Sequence, residues 1–432
     1  MRSRLLALFF AGLALALVVP TSAQATLSST VQIMAGGGST PATPSGVPVA
    51  SVQFNSPYGA AADASGNIYV VNCSNPLQTI DQVPSFGSTA VKRIAGGGVT
   101  VPSTTPVLAT DAALFYPYGA SVVGSKLYIM NIQSLNVVDL TTGMLTLLAG
   151  GGANPPSTTP QPATSVALPY GMDAVAATAD AVYMAENNTD LLYKVDLATG
   201  DLTLFAGGGS TRPAKVGIAP LAAQFNNLKG VAVDPSGNLY FSDDYGISKL
   251  NAATGTVAHW AGGGSQLVTQ ALSPRTSVNL GNTIGISWDE ADSMLVVASQ
   301  DKISGVSEFG VTLLAGLVGG ANFPTWTKQD TFSTAINYTR SAVVLDGALY
   351  YVDANLNTLN VVDGLNLPVE PTTTTSAGST TTTPQGGLAA TGGDLRGGAV
   401  FAGALMLLGG ALWLGRGRRV VRMVPSSENH DL

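Results

Sequence analysis

The 432-residue chain has one cysteine, Cys73, only two histidines, and charge on just 10 % of its residues. A lone cysteine forms no internal disulfide, so a cross-linked scaffold is excluded and stability must come from packing. His259 is the only histidine before the last three residues. A zinc site built from several histidines is therefore excluded, and with no G-x-S-x-G segment a Ser-His-Asp triad is disfavoured. Positive charge is scarce too: residues 26–370 hold 12 lysines and arginines against 23 aspartates and glutamates, a net −11. Such an acidic body repels phosphate backbones, which argues against nucleic acid as a partner.

What the chain has in quantity is glycine, 51 residues, much of it in one repeated phrase. The phrase reads VQIMAGGG at 31–38, KRIAGGG at 92–98, TLLAGGG at 146–152, TLFAGGG at 203–209, AHWAGGG at 258–264 and, degraded, TLLAGLVGG at 312–320. Its alanines fall at 35, 95, 149, 206, 261 and 315, so the period is 54 to 60 residues and marks a repeat architecture. No Gly-Lys-Ser/Thr follows the glycines, so they are not a phosphate loop.

Each period contains four short apolar runs separated by turn residues, as in LKGVAVD (228–234), NLYFSD (238–243), ISKLN (247–251) and TVAHWAGGG (256–264). Four antiparallel strands per unit, six times over, predict an all-β, six-bladed propeller across 26–368. The residue before each Ala-Gly is large and apolar (Met34, Ile94, Leu148, Phe205, Trp260, Leu314) and is expected between sheets. At the start, VQIMAGGG is a fourth strand without three predecessors; at the end, residues 339–363 hold three strands without a fourth. The N-terminal strand is therefore expected to close the ring and remove its free edges.

Both termini read as addressing. Residues 1–25 carry Arg2, Arg4, an apolar stretch and a small-residue cleavage site at Ala23 and Ala25, the pattern of a secretory signal peptide. Residues 369–396 form a Thr/Pro/Gly-rich stalk, residues 397–415 an uncharged run of membrane-spanning length, and residues 416–432 a basic cytoplasmic tail.

The segments SPYGAAADASGNIYVVN (56–72), LKGVAVDPSGNLYFSDD (228–244) and KVDLATGDLTLFAGGG (194–209) resemble the NHL-repeat class of propellers. The resemblance implies a six-bladed ring with a binding face for proteins, glycans or other ligands, and a class that includes a few lyases and lactonases. Leu388, Ala389, Ala390, Thr391 and Gly392, followed by the apolar run and the arginines, resemble a sortase-type cell-wall sorting signal. That resemblance implies sortase and peptidoglycan as partners and display on the surface of a Gram-positive type bacterium. A plain single-span membrane anchor is the other reading of the same run.

Two sets of residues are candidates for a ligand face. Asn72, Asn131, Glu186, Asp243, Asp244 and Asp353 follow the second strands. A ring of such oxygen donors suits Ca²⁺, although Asp and Asn are also ordinary turn residues, and no cofactor, metal set or catalytic set is assigned. Tyr58, Tyr118 and Tyr170 end long inserts as Pro-Tyr-Gly and are expected near the channel entrance, where rings stack on a sugar or a peptide. The function expected is a surface-anchored binding or adhesion module for protein or glycan. The alternative is an extracellular lyase or lactonase with a carboxylate-bound cation at the channel mouth.

Overall fold

A computed structural model describes residues 29–84, 89–316, 323–325 and 327–365. The signal-peptide, stalk, sorting-signal and membrane-span readings lie outside those residues. Among the described residues no helix is long and apolar enough to cross a membrane.

Six antiparallel sheets of four principal strands make up the fold. The first blade runs Pro57–Ala62, Ile68–Asn72, Thr79–Val83, Ala90–Gly96; the second Gly119–Val123, Lys126–Asn131, Ser134–Asp139, Met144–Gly150. The third has Met172–Ala177, Ala181–Glu186, Leu191–Asp196 and Asp201–Ala206; the fourth Gly230–Val233, Leu239–Asp243, Gly246–Asn251 and Thr256–Ala261. The fifth has Thr283–Asp289, Met294–Ser299, Ile303–Val306 and Val311–Ala315. The sixth is composite. Thr339–Leu345, Ala348–Asp353 and Thr358–Asp363 take Thr30–Gly36 as their outer strand, with Val31 opposite Val362 and Ile33 opposite Asn360. The ring is thus an all-β six-bladed propeller closed by its N-terminal strand.

Apolar side chains fill the spaces between neighbouring sheets. Val70 and Phe54 of one blade, for example, share a cluster with Tyr350 and Val361 of the next. The large residue before each Ala-Gly splits in its burial: Met34, Trp260 and Leu314 are buried, whereas Ile94, Leu148 and Phe205 are half-buried. In all six outer strands it is the residue skipped by the pairing, a β-bulge, so its side chain leaves the strict alternation of the strand.

The glycines that follow have a single geometric purpose. After five of the six outer strands the chain folds back against itself, so that the third glycine's N–H donates to a carbonyl fourteen residues on: Gly38 to Val52, Gly98 to Ala112, Gly152 to Val166, Gly209 to Ala223 and Gly264 to Val278. At Gly98 a Cβ would lie 2.1 Å from the Asp111 carbonyl carbon and at Gly152 2.0 Å from that of Ser165, an approach only glycine permits. The insert then lies along the outer edge of the following blade. Val47–Pro48 pairs with Ala90–Gly96, Val107–Leu108 with Met144–Gly150, Gln161–Pro162 with Asp201–Ala206, and Gln329–Asp330 with Thr30–Gly36. Single bridges at Ile218–Val257 and Ser273–Val311 do the same for the fourth and fifth blades. The long inserts expected as ligand loops are in large part edge covers, which blunt the outer strands against intermolecular pairing.

Candidate functional site

The inner strands line a central channel of about 520 Å³. At its entrance each blade contributes the residue just before a small one: Tyr58, Tyr118, Asp173, Lys229, Ile284 and Arg340. In four blades the ladder is broken at that residue. Pairing passes from Pro57 to Gly59, from Met172 to Ala174, from Thr283 to Gly285 and from Thr339 to Ser341, leaving Tyr58, Asp173, Ile284 and Arg340 bulged. A bulge re-aims one side chain without ending the strand, which is how these four come to line the channel.

Arg340 dominates the entrance. Its Nη2 donates to the Tyr58 hydroxyl at 2.9 Å and to the Tyr338 hydroxyl at 2.7 Å, and the guanidinium lies 3.9 Å and 4.5 Å from the two ring centres. Two aromatic faces and two hydroxyls hold the fork in one orientation, while its buried Nε has no partner. Tyr118 sits beside Tyr58 with ring centres 5.3 Å apart. Lys229 donates to the Asn282 side-chain oxygen at 2.8 Å and lies 3.7 Å from Asp244. Asp173 is the one carboxylate of the six, and accepts from the Asn187 amide at 2.5 Å. Burial pushes its carboxyl up to about 6, against the pull of Arg340. Burial likewise raises the Tyr58 hydroxyl, and raises that of Tyr118 to about 12. Cys73, buried nearby, is held as a neutral thiol, its pKa pushed up to about 12.

Of the three expected tyrosines, Tyr58 and Tyr118 stand at the entrance. Tyr170 does not: it is 62 % exposed, because Gly171 and Met172 intervene before the bulge and Asp173 takes the equivalent position. The residues after the second strands are placed otherwise than expected from the sequence. Asn72, Asn131, Glu186, Asp243 and Asp353 are all buried, and all but Asn131 hold local backbone in place. Asp353 accepts from the N–H groups of Asn337, Asn355 and Leu356; Asp243 from Asn226 and Tyr245; Glu186 from Asn188 and Thr189. Asn72 accepts from the Asn55 N–H and donates to Thr79 and Asp81, and Asn131 donates to Ser134. Asp244, outside this set, receives the amides of Asn226 and Asn227.

Among the described residues no group of three or more His, Cys, Asp or Glu is placed to hold a metal ion. At the entrance a single carboxylate faces two side-chain cations, the reverse of the oxygen-rich shell a hard divalent cation needs. Asp173, Lys229, Ile284, Arg340 and Tyr338 were not singled out in the sequence. The signal available was positional: aligned on their first strands, PYG, PYG, MDA, LKG, TIG and TRS put one variable residue before a small one in every unit.

No family model matches the chain, and no curated protein matches it. Among solved structures, a protein of unknown function from Bacteroides thetaiotaomicron superposes with a TM-score of 0.54 at 14 % identity, over 77 % of this chain and 75 % of that one. A gluconolactonase from Xanthomonas campestris gives 0.43 at 11 % identity, over 72 % and 87 %. A virginiamycin B lyase from Staphylococcus aureus gives 0.40 at 10 % identity, over 71 % and 94 %. At such identities a likeness speaks to fold alone, and the two enzymes, below a TM-score of 0.5, carry no argument about activity. The first superposition places this chain in a fold already seen in solved structures; what the channel entrance does must be read from its own residues.

Proposed function

We propose that the protein is a surface-displayed binding module whose channel entrance takes the anionic group of an acidic glycan. The observation that carries this reading is Arg340, locked by Tyr58 and Tyr338 with Lys229 on the same rim. A fixed guanidinium is suited to two-point contact with a carboxylate or sulfate, and the tilted Tyr58–Tyr118 pair offers faces on which a sugar ring stacks. Display rests on the order of residues 1–25, the LAATG motif at 388–392, the apolar run 397–415 and the arginines after it, with sortase and peptidoglycan as anchoring partners. The strand-pair sequences at 56–72 and 228–244 support reading the blades as NHL-type units.

A second reading, an extracellular lyase or lactonase, is favoured by one observation: Asp173, raised to about 6, is poised for proton transfer beside a guanidinium that neutralises an acidic sugar. In this reading the neutralising charge comes from Arg340, with no bound cation needed. Screening the full-length protein on an array of acidic and neutral glycans tests the binding reading. The expected outcome is capture of acidic members only, weakened at least tenfold by Arg340→Ala. Capture that ignores ligand charge, or survives the substitution, refutes it. New unsaturated or ring-opened product during incubation with a captured glycan would favour the enzyme.

A further inference from the structure

Away from the channel, the second blade contains a separate cavity of about 370 Å³, within the roughly 300–1,000 Å³ typical of small-molecule sites. Its walls come from the two edge-covering inserts that flank this blade. Val101, Pro102 and Phe115 belong to one, Leu168 to the other, and Ile132 and Leu147 come from the blade itself. The inserts are pinned: Ser103 accepts from the Leu147 N–H at 2.8 Å, and the Leu168 carbonyl accepts from the Gln133 amide at 3.3 Å. Two of the wall residues are apolar yet open to water, Val101 at 65 % and Phe115 at 49 % exposure.

At the floor lies Asn136, fully buried, with neither its side-chain oxygen nor its nitrogen hydrogen-bonded. Burying both halves of an amide unpaired is costly, and native proteins rarely tolerate it. The register-equivalent position differs from blade to blade; in the fifth, Ser304, opposite Leu313, also has a buried hydroxyl without a partner. The third places the large, buried Tyr193 there, opposite Leu204 as Asn136 is opposite Leu147. In the sixth, the Asn360 amide pairs with the Thr358 hydroxyl; in the first, Asp81 accepts from Asn72 with Arg93 opposite in register. In the second blade the unpaired amide lies at a cavity walled by both inserts.

We propose that this cavity is a second ligand site, independent of the channel entrance, for a small uncharged molecule carrying a carboxamide or lactam edge on an apolar body. The chemistry follows from Asn136. Its donor and acceptor lie side by side, so the matching group presents an acceptor and a donor side by side, as a primary amide or a lactam does. A carboxylate offers no donor and would leave its charge in an apolar pocket; a hydrocarbon leaves Asn136 unpaired. Because Asn136 has no surface in contact with water, a ligand reaches it by displacing a side chain of the wall, and the exposed apolar side chains of Val101 and Phe115 are the ones it would displace.

Saturation-transfer NMR on the full-length protein, with benzamide as probe and benzoate and toluene as controls, tests this. Benzamide is expected to bind in preference to both controls, and Asn136→Leu to weaken it at least about tenfold while leaving the thermal midpoint unchanged or higher, since an unpaired buried amide is removed. Phe115→Ala, on the rim, serves as a second variant that should weaken benzamide without touching Asn136. Absence of benzamide binding, equal binding to Asn136→Leu, or a midpoint several degrees lower in Asn136→Leu would overturn the proposal, the last because it shows the amide already satisfied by ordered water. Channel variants such as Arg340→Ala should leave benzamide binding unaltered, so failure here and failure of the glycan reading are separable.

Discussion

The third glycine of each repeated phrase is where a single atom decides the fold. A Cβ on Gly152 would enter the Ser165 carbonyl at 2.0 Å, whereas a Cβ on Gly143, at φ +70, would make only an ordinary van der Waals contact, with Leu108 Cδ1 at 3.9 Å. Gly143→Ala should therefore cost only the left-handed backbone penalty, about 1 kcal/mol, while Gly152→Ala must separate two backbone segments and should cost about 3 kcal/mol or more. Thermal or chemical denaturation of the two variants checks the ranking; equal losses would show that the close approach is not a constraint. The phrase was legible in the sequence as a repeat, yet its purpose was not. The partner of each glycine lies fourteen residues on, and only the pairing reveals why Val52, Ala112, Val166, Ala223 and Val278 recur at that distance. Two positions further, Phe54, Leu114, Leu168, Phe225 and Leu280 are all buried, a second regularity that would have located the fold-back.

Strands and closure were readable because each principal strand is a run of four to seven mostly apolar residues bounded by turn residues, and because a fourth strand without a blade needs one. Elements of two residues, such as Val107–Leu108 and Gln161–Pro162, are too short to carry any period, so the edge-covering inserts read as loops. The entrance residues escaped for a related reason: a bulge interrupts the alternation at the very residue it re-aims. Tyr170 shows the cost of matching by motif alone, since Pro-Tyr-Gly recurs there with its register shifted by three residues and the ring turned out to solvent. For the closing strand, deletion of residues 29–38 removes the buried Val31, Met34 and Ala35 and exposes the edge of Thr358–Asp363. The expected outcome is a fall of more than about 10 °C in the unfolding midpoint, with association of the opened rings. An unchanged midpoint in differential scanning calorimetry would mean that the ring does not depend on this strand.

Across the whole molecule, charge is distributed along the channel with a direction. Lys229 and Arg340 stand at one end, and Asp63, Asp289, Glu290 and Asp346 line it towards the other, so an anion is drawn to the first end and repelled beyond it. Buried carboxyls set the pH response. Desolvation raises Asp173, Asp243, Asp289 and Asp353 to about 6 and Asp81 to about 7, above their unfolded value of 3.8. Between those limits the folded state binds more protons than the unfolded one, so stability must fall as pH rises from about 4 to 7. Asp63 and Glu308 are shifted the other way and act at the acid end of that window and below it. A thermal midpoint higher at pH 5 than at pH 7.5 is expected; the opposite order would show that these groups ionise freely in the folded protein.

The entrance as a receptor for an acidic sugar is the claim on which the functional account stands. Its most direct test is a calorimetric titration of the full-length protein with an acidic oligosaccharide taken from the array, beside the same oligosaccharide with its carboxyl groups reduced to alcohols. Saturable binding of the acid, at least tenfold weaker for the reduced form and for Arg340→Ala and lessened by added salt, is the predicted result. Equal affinity for the acid and its reduced form would contradict it.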